Sequence, residues 1–177
     1  MKQIKFIGTI IIIAIMTACG QTEKPTAWKT FEQNDYKIRY PDNFKLDTSG
    51  DMGFSFVLLS KLTTSNGRLQ ENIISLGIDD LKGQNVSLDD FAKDTEEQIK
   101  MMITNSAIIE NTRVKKGSSE FQKFIVTGRQ GQFDLKFEQY DFIKNGKAYI
   151  LTFTTEAAQF DNYKNVAEEI MNSFEIK

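Results

Sequence analysis

A chain of 177 residues with 22 Lys and Arg against 24 Asp and Glu is mildly acidic. That balance argues against nucleic acid as a partner, since nucleic acid rewards clustered positive charge. With no histidine and a single cysteine, Cys19, the chain has no Ser-His or Cys-His pair, no histidine metal ligand and no internal disulfide.

The first 19 residues carry an address. Lys2 and Lys5 form a basic head, residues 6–16 are an uncharged, mostly apolar run of 11, and Thr17 and Ala18 place small residues before Cys19. Basic head, apolar run and small-residue site in that order mark a secretory signal, and the lone cysteine makes it a lipoprotein signal. The Cys19 thiol then takes a diacylglycerol and the bond between Ala18 and Cys19 is cut. A membrane-spanning anchor is the first competing reading, but 11 residues fall short of the ~20 needed to cross the hydrocarbon core. An ordinary signal peptide with a free Cys19 is the second. Met16 stands where leucine is commoner.

The resulting plan is a signal over 1–18, a lipidated cysteine with a tether over 19–26, and one globular domain over 27–177. Removing the signal takes away two lysines and leaves 159 residues with a net charge of −4. A chain of that sign gains nothing from anionic lipid, so attachment must come from acyl chains on Cys19, of which two suffice. The expected location is the bacterial cell envelope. With two membranes, Gly20 after the cysteine favours the periplasmic face of the outer membrane; with one, the outer face of the cell membrane.

Residues 20–26 (GQTEKPT) read as a short polar tether of about 20 Å. Two short strands follow at 27–31 and 36–40, joined by Asn34-Asp35, and Pro41 ends the second because it has no N–H to donate. Apolar runs at 54–59 and 73–78 predict strands covered on both faces, separated by an 11-residue polar loop with Asn66-Gly67. Residues 87–105 predict a helix with Leu88, Phe91, Ala92, Thr95, Ile99, Met102 and Ile103 on its buried stripe. Ser87 is its N-cap, and Asp90 takes the capping-box position. A meander follows, with strands at 107–114, 121–127, 133–143 and 148–154. Its turns fall at 116–118, 128–131 and Asn145-Gly146. Parity switches between Phe137 and Tyr140, so a bulge near Glu138-Gln139 is expected. Phe160, Tyr163, Ala167, Ile170, Met171 and Phe174 predict a second amphipathic helix, followed by a short strand at 174–176. The order predicts an α+β domain: an antiparallel sheet with helices on both faces, an α/β/α sandwich.

The sequence marks no catalytic, cofactor or metal residue. Asp79-Asp80, Asp89-Asp90 and Glu96-Glu97 are paired acids, but no calcium loop motif surrounds them. Capping accounts for Asp89-Asp90 and a solvated helix face for Glu96-Glu97. No phosphate-cradling glycine motif exists. Trp28, just past the tether, serves a partner surface or, as we favour, closes the bottom of the sheet. Arg113, Lys115 and Lys116 read as a solvated hairpin end.

Residues 36–44 (YKIRYPDNF), the capped helix at 87–91 (SLDDF), the long meander and the final Asn172-Ser173-Phe174 together resemble PsbP-like domains, with Phe44 where tryptophan is frequent. Among bacterial members the small lipoprotein DcrB is most similar in design. The resemblance covers most of residues 28–176. It implies a non-enzymatic α/β/α sandwich that assists membrane complexes or envelope processes, without shared catalytic residues or cofactors. Three functions compete: an envelope protein-interaction or assembly module, a carrier of a small apolar or lipidic ligand between sheet and helix, and a carboxylate enzyme using Asp79 or Asp80.

Overall fold

The structure is a computed structural model that describes residues 27–50, 53–61 and 71–177. Ala18, Cys19, the tether at 20–26 and the polar loop at 62–70 lie outside the described residues. In chain order the elements are β1 (Trp28–Glu32), β2 (Tyr36–Pro41), β3 (Phe44–Asp47), β4 (Phe56–Lys61), β5 (Glu71–Asp80), α1 (Leu88–Met102), β6 (Thr104–Lys116), β7 (Ser119–Gln130), β8 (Phe133–Lys144), β9 (Lys147–Glu156), α2 (Phe160–Asn172) and β10 (Glu175–Ile176).

Seven strands form one antiparallel sheet in the order β3-β4-β5-β9-β8-β7-β6. The other three form a small antiparallel sheet, β1-β2-β10. Alternation along the strands decides what each face of the large sheet receives. On β7, Phe121 and Ile125 join the main core with α2 and β2, while Phe124 and Val126 face the other way and pack with Ala92 and Ile99 of α1. The sheet is therefore covered on both faces, as expected for an α/β/α sandwich.

The first helix begins where its capping signal stands. Ser87 Oγ accepts from Asp90 N at 3.1 Å and donates to the Asp90 carboxylate at 2.6 Å. Ala92, Thr95 and Ile99 are buried as the stripe predicts, but Met102 is exposed. The physical reason lies one residue on. Ile103 leaves the helix in an extended conformation and packs on the cluster that includes Phe124 and Val126 of β7, so the helix ends at Met102 with that side chain uncovered. The second helix keeps its stripe: Phe160, Ala167, Ile170 and Met171 are buried, and Tyr163 packs on the core.

Three further expectations change. The sequence shows no signal for β3, a four-residue strand whose pairing with β4 forms the sheet edge. No bulge interrupts β8, which pairs continuously with β7 and β9 through Glu138 and Gln139. The irregularities lie instead in β6, between Thr104 and Ala107 and between Ile108 and Glu110. Gly128 is not a turn residue; β7 runs to Gln130 and the turn is Gly131-Gln132. At Gly128 a Cβ would run into Ile103 Cγ2 and stand 3.3 Å from Thr104 O and from Ser106 Cα. Gly128→Ala should therefore cost about 1–3 kcal/mol through overpacking, read as a lower urea midpoint. An unchanged midpoint would show that β6 yields freely.

Candidate functional site

Strand β8 carries two buried carboxylates, one on each face of the sheet. Glu138 and Tyr140 point toward α2, and Asp141 points toward α1. Both Glu138 and Asp141 are fully buried, at 0% exposure. Their polar surroundings differ.

On the α2 side Lys123 of β7 crosses to Glu138, with Nζ 3.1 Å from Oε1, and its side chain is 15% exposed. Glu110 and Glu168 each stand 3.7 Å from the same ammonium. The Tyr140 hydroxyl donates to Glu138 Oε1 at 2.9 Å, while Glu138 Oε2 finds no hydrogen-bond partner among the described residues. Burial pulls the Lys123 pKa down, but Glu138 first, then Glu110 and Glu168, outweigh it and leave the net shift upward. Burial, reinforced by Glu138, pushes the Tyr140 phenol well above its ordinary value. A lysine held protonated is no nucleophile, and such a phenol gives up no proton near neutrality. The cluster is built to hold β6, β7, β8 and α2 together.

On the α1 side Thr95 Oγ1 donates to Asp141 Oδ2 at 2.9 Å and Gln139 Nε2 donates to Oδ1 at 2.8 Å. Among the described residues no ion pair reaches this carboxylate. Burial raises its pKa to about 6, against the opposing pull of the two hydrogen bonds. A perturbed acid in a cleft would mark a functional site. Here α1 lies over it and seals it from solvent, so it acts as part of the α1 docking surface.

The residues singled out in the sequence are dispersed. Asp79 and Asp80 are exposed at the end of β5, and Asp80 Oδ1 accepts from Lys82 N at 2.8 Å. Asp89 pairs with Arg113, and Glu96 accepts from Asn111, so both tie α1 to β6. Among the described residues no group of three acidic or sulfur side chains is placed to hold a metal. The basic hairpin end is not simply solvated. Arg113 donates to Gln122 Oε1 at 2.9 Å, and Lys116 reaches the last turn of α2 at Asn172 Oδ1, 3.1 Å away, where a cation suits the helix dipole. Trp28 is half-buried against the main core, with the Arg39 guanidinium 5.6 Å above its ring.

A shallow, open cleft of about 220 Å³ lies where β7 turns into β8, lined by Asn105, Thr127, Gly128, Arg129, Asp134, Leu135 and Ala157. Arg129 and Asp134 close one side as an ion pair at 3.0 Å. The sequence pattern missed Lys123, Glu138 and Asp141. Glu138 shares parity with Tyr140 and Phe142, so a charged residue at an in-facing position was the available signal.

A family model described as PsbP-like protein matches residues 9–176. No curated protein matches the chain. Among solved structures, cyanobacterial PsbP (CyanoP) from Synechocystis sp. is similar with a TM-score of 0.64 and 15% identity, over 92% of this chain and 99% of that one. LpqN from Mycobacterium tuberculosis, a protein involved in cell envelope biogenesis, gives 0.60 and 7%, over 85% and 91%. A protein of unknown function from Pseudomonas aeruginosa gives 0.58 and 14%, over 82% and 94%. At these identities the likeness is one of fold, and it agrees with the sandwich described above. The chain belongs to the PsbP-like protein family.

Proposed function

We propose that this protein is a cell-envelope lipoprotein, held to a membrane by acyl chains on Cys19, that works without catalysis as a protein-interaction or assembly module, similar in design to DcrB. The observation that carries the reading is the signal order ending in Thr17-Ala18-Cys19, set directly before a PsbP-like domain. The envelope role of LpqN, a neighbour in fold, is consistent with it. No helix among the described residues is long and apolar enough to cross a membrane. The buried ionisable groups are engaged in holding elements together, which supports a binding rather than a catalytic role.

The carrier reading is weaker on one specific ground. The space between sheet and α2 that a ligand would occupy is filled by aromatic rings in contact. Phe121 and Tyr140 stack at 4.5 Å, Phe142 and Phe174 meet at 5.5 Å, and Phe153 and Phe160 at 5.5 Å.

Cys19→Ser tests the anchor. The variant should lose radiolabelled palmitate incorporation and move from the membrane to the soluble fraction. Unchanged labelling and fractionation would refute the reading. Crosslinking in intact cells should recover a defined envelope partner, and recovery of free monomer alone would refute the interaction role.

A further inference from the structure

The fold brings two features to one end of the seven-stranded sheet. The first is the point where the chain enters the domain. Ala27 O accepts from Asp42 N at 2.9 Å, and Phe44, two residues later, pairs with Ser60, which pairs with Asn72. Next along the sheet come Ile73 with Thr154 and Leu135 with Glu156, close to the turn at Gly131-Gln132. The second feature is the end of α1, which delivers the chain to Thr104 opposite Arg129, beside the same turn. Here Met101 and Met102 are 76% and 77% exposed, more than any other large apolar side chain among the described residues. Met171, in contrast, is buried in the main core.

The length of the chain outside the structure says what covers them. From Cys19 to the start of the described domain, eight residues span at most roughly 28 Å. Seven strands at ~4.8 Å spacing make the sheet about as wide. A leash no longer than the sheet is wide biases the end that receives it toward the bilayer. Methionine suits such a contact, because its unbranched side chain adapts to an irregular apolar surface. Beside the methionines, Lys100 pairs with Glu96 at 3.7 Å and Arg129 with Asp134 at 3.0 Å, while Lys29 and Lys45 are exposed near the point where the chain enters. At Met101 and Met102 themselves the contact is apolar, because the cations beside them are paired.

Resting on the reading of Cys19 as the lipidated residue, we propose that this end of the domain docks on the bilayer that holds the anchor. Met101 and Met102 lodge in its interfacial layer.

The test is oxidation by hydrogen peroxide, which transfers one oxygen to the thioether to give the sulfoxide and leaves water. Full-length lipidated protein is reconstituted in phosphatidylcholine vesicles with a varied fraction of phosphatidylglycerol. The Cys19→Ser chain is mixed with the same vesicles, and peptide mass spectrometry follows each methionine. Met101 and Met102 should oxidise quickly in the Cys19→Ser chain and severalfold more slowly in the anchored one. The protection should not change with the anionic lipid fraction, and Met171 should stay slow in both. An anchored chain that floats with the vesicles yet shows fully reactive Met101 and Met102 overturns this proposal and leaves the anchor standing. A wild-type chain that does not float removes the anchor and this proposal together. Protection in whole envelopes but not in pure vesicles assigns the face to a protein partner and overturns the lipid contact.

Discussion

Lys123→Ala should destabilise the protein by about 3–5 kcal/mol at neutral pH, the cost of stranding a buried charge. Glu138 is fully buried, and among the described residues Lys123 is the only cation paired with it, 3.1 Å away. Tyr140 supplies one hydrogen bond to Oε1, and Oε2 has none from the described residues. Removing the ammonium leaves that carboxylate with a single donor in a low-dielectric site. Glu110 and Glu168 lose less, because both keep partial access to water. Urea denaturation at pH 7 reads the difference, and a loss under about 1 kcal/mol would place this pair with exposed ion pairs instead. The double variant Lys123→Met/Glu138→Leu should recover most of the loss. Replacing both partners of a buried pair with apolar side chains of similar volume is often neutral or stabilising.

Asp141→Asn should have the opposite sign and raise stability at pH 8. The native carboxyl titrates near 6 rather than at its ordinary 3.8. Between those values the folded state binds the proton more readily than the unfolded one. The contribution of this group is therefore fully present below about pH 4 and is lost as pH rises through 6. The rise from 3.8 to about 6 corresponds to about 3 kcal/mol at most. Asparagine is neutral at every pH and keeps the shape. Its carbonyl can accept from Gln139 where Asp141 Oδ1 does, and its amide can donate to Thr95 Oγ1, since a hydroxyl serves as donor or acceptor. The expected gain is about 1–3 kcal/mol at pH 8, shrinking toward zero near pH 4. Equal stability of the two chains at pH 8 would mean that water reaches Asp141. Because Thr95 belongs to α1, hydrogen exchange in that helix should slow in the variant at pH 8.

Each buried acid stands on a strand whose neighbours in sequence hide it. In Phe133–Lys144 the odd positions Leu135 and Phe137 serve the α1 face, and the even positions Tyr140 and Phe142 serve the α2 face. Read alone, that pattern resembles a change of parity, and a bulge is the economical explanation. A strand buried on both faces needs no bulge. It also leaves Glu138 and Asp141 inside, where only partners on other elements make them tolerable. Lys123 lies 15 residues before Glu138, and Thr95 lies 46 before Asp141. No local periodicity connects residues at such separations.

Local chemistry determined the elements whose signals are short-range. Ser87 and Asp90 start α1, Pro41 stops β2, Asn145-Gly146 turns β8 into β9, and the 3,4-spacing from Phe160 to Met171 makes α2. The same local signals support the α+β class and the placement of helices on both faces. Tertiary structure alone decided that β3 exists, that β10 pairs with β2, that Met102 is exposed while Ile103 closes over Gly128, and that Lys123 meets Glu138. The physical reason is that capping, turn geometry and amphipathic periodicity act over a few residues. Strand order and the pairing of buried charges arise only when distant segments compete for the same space.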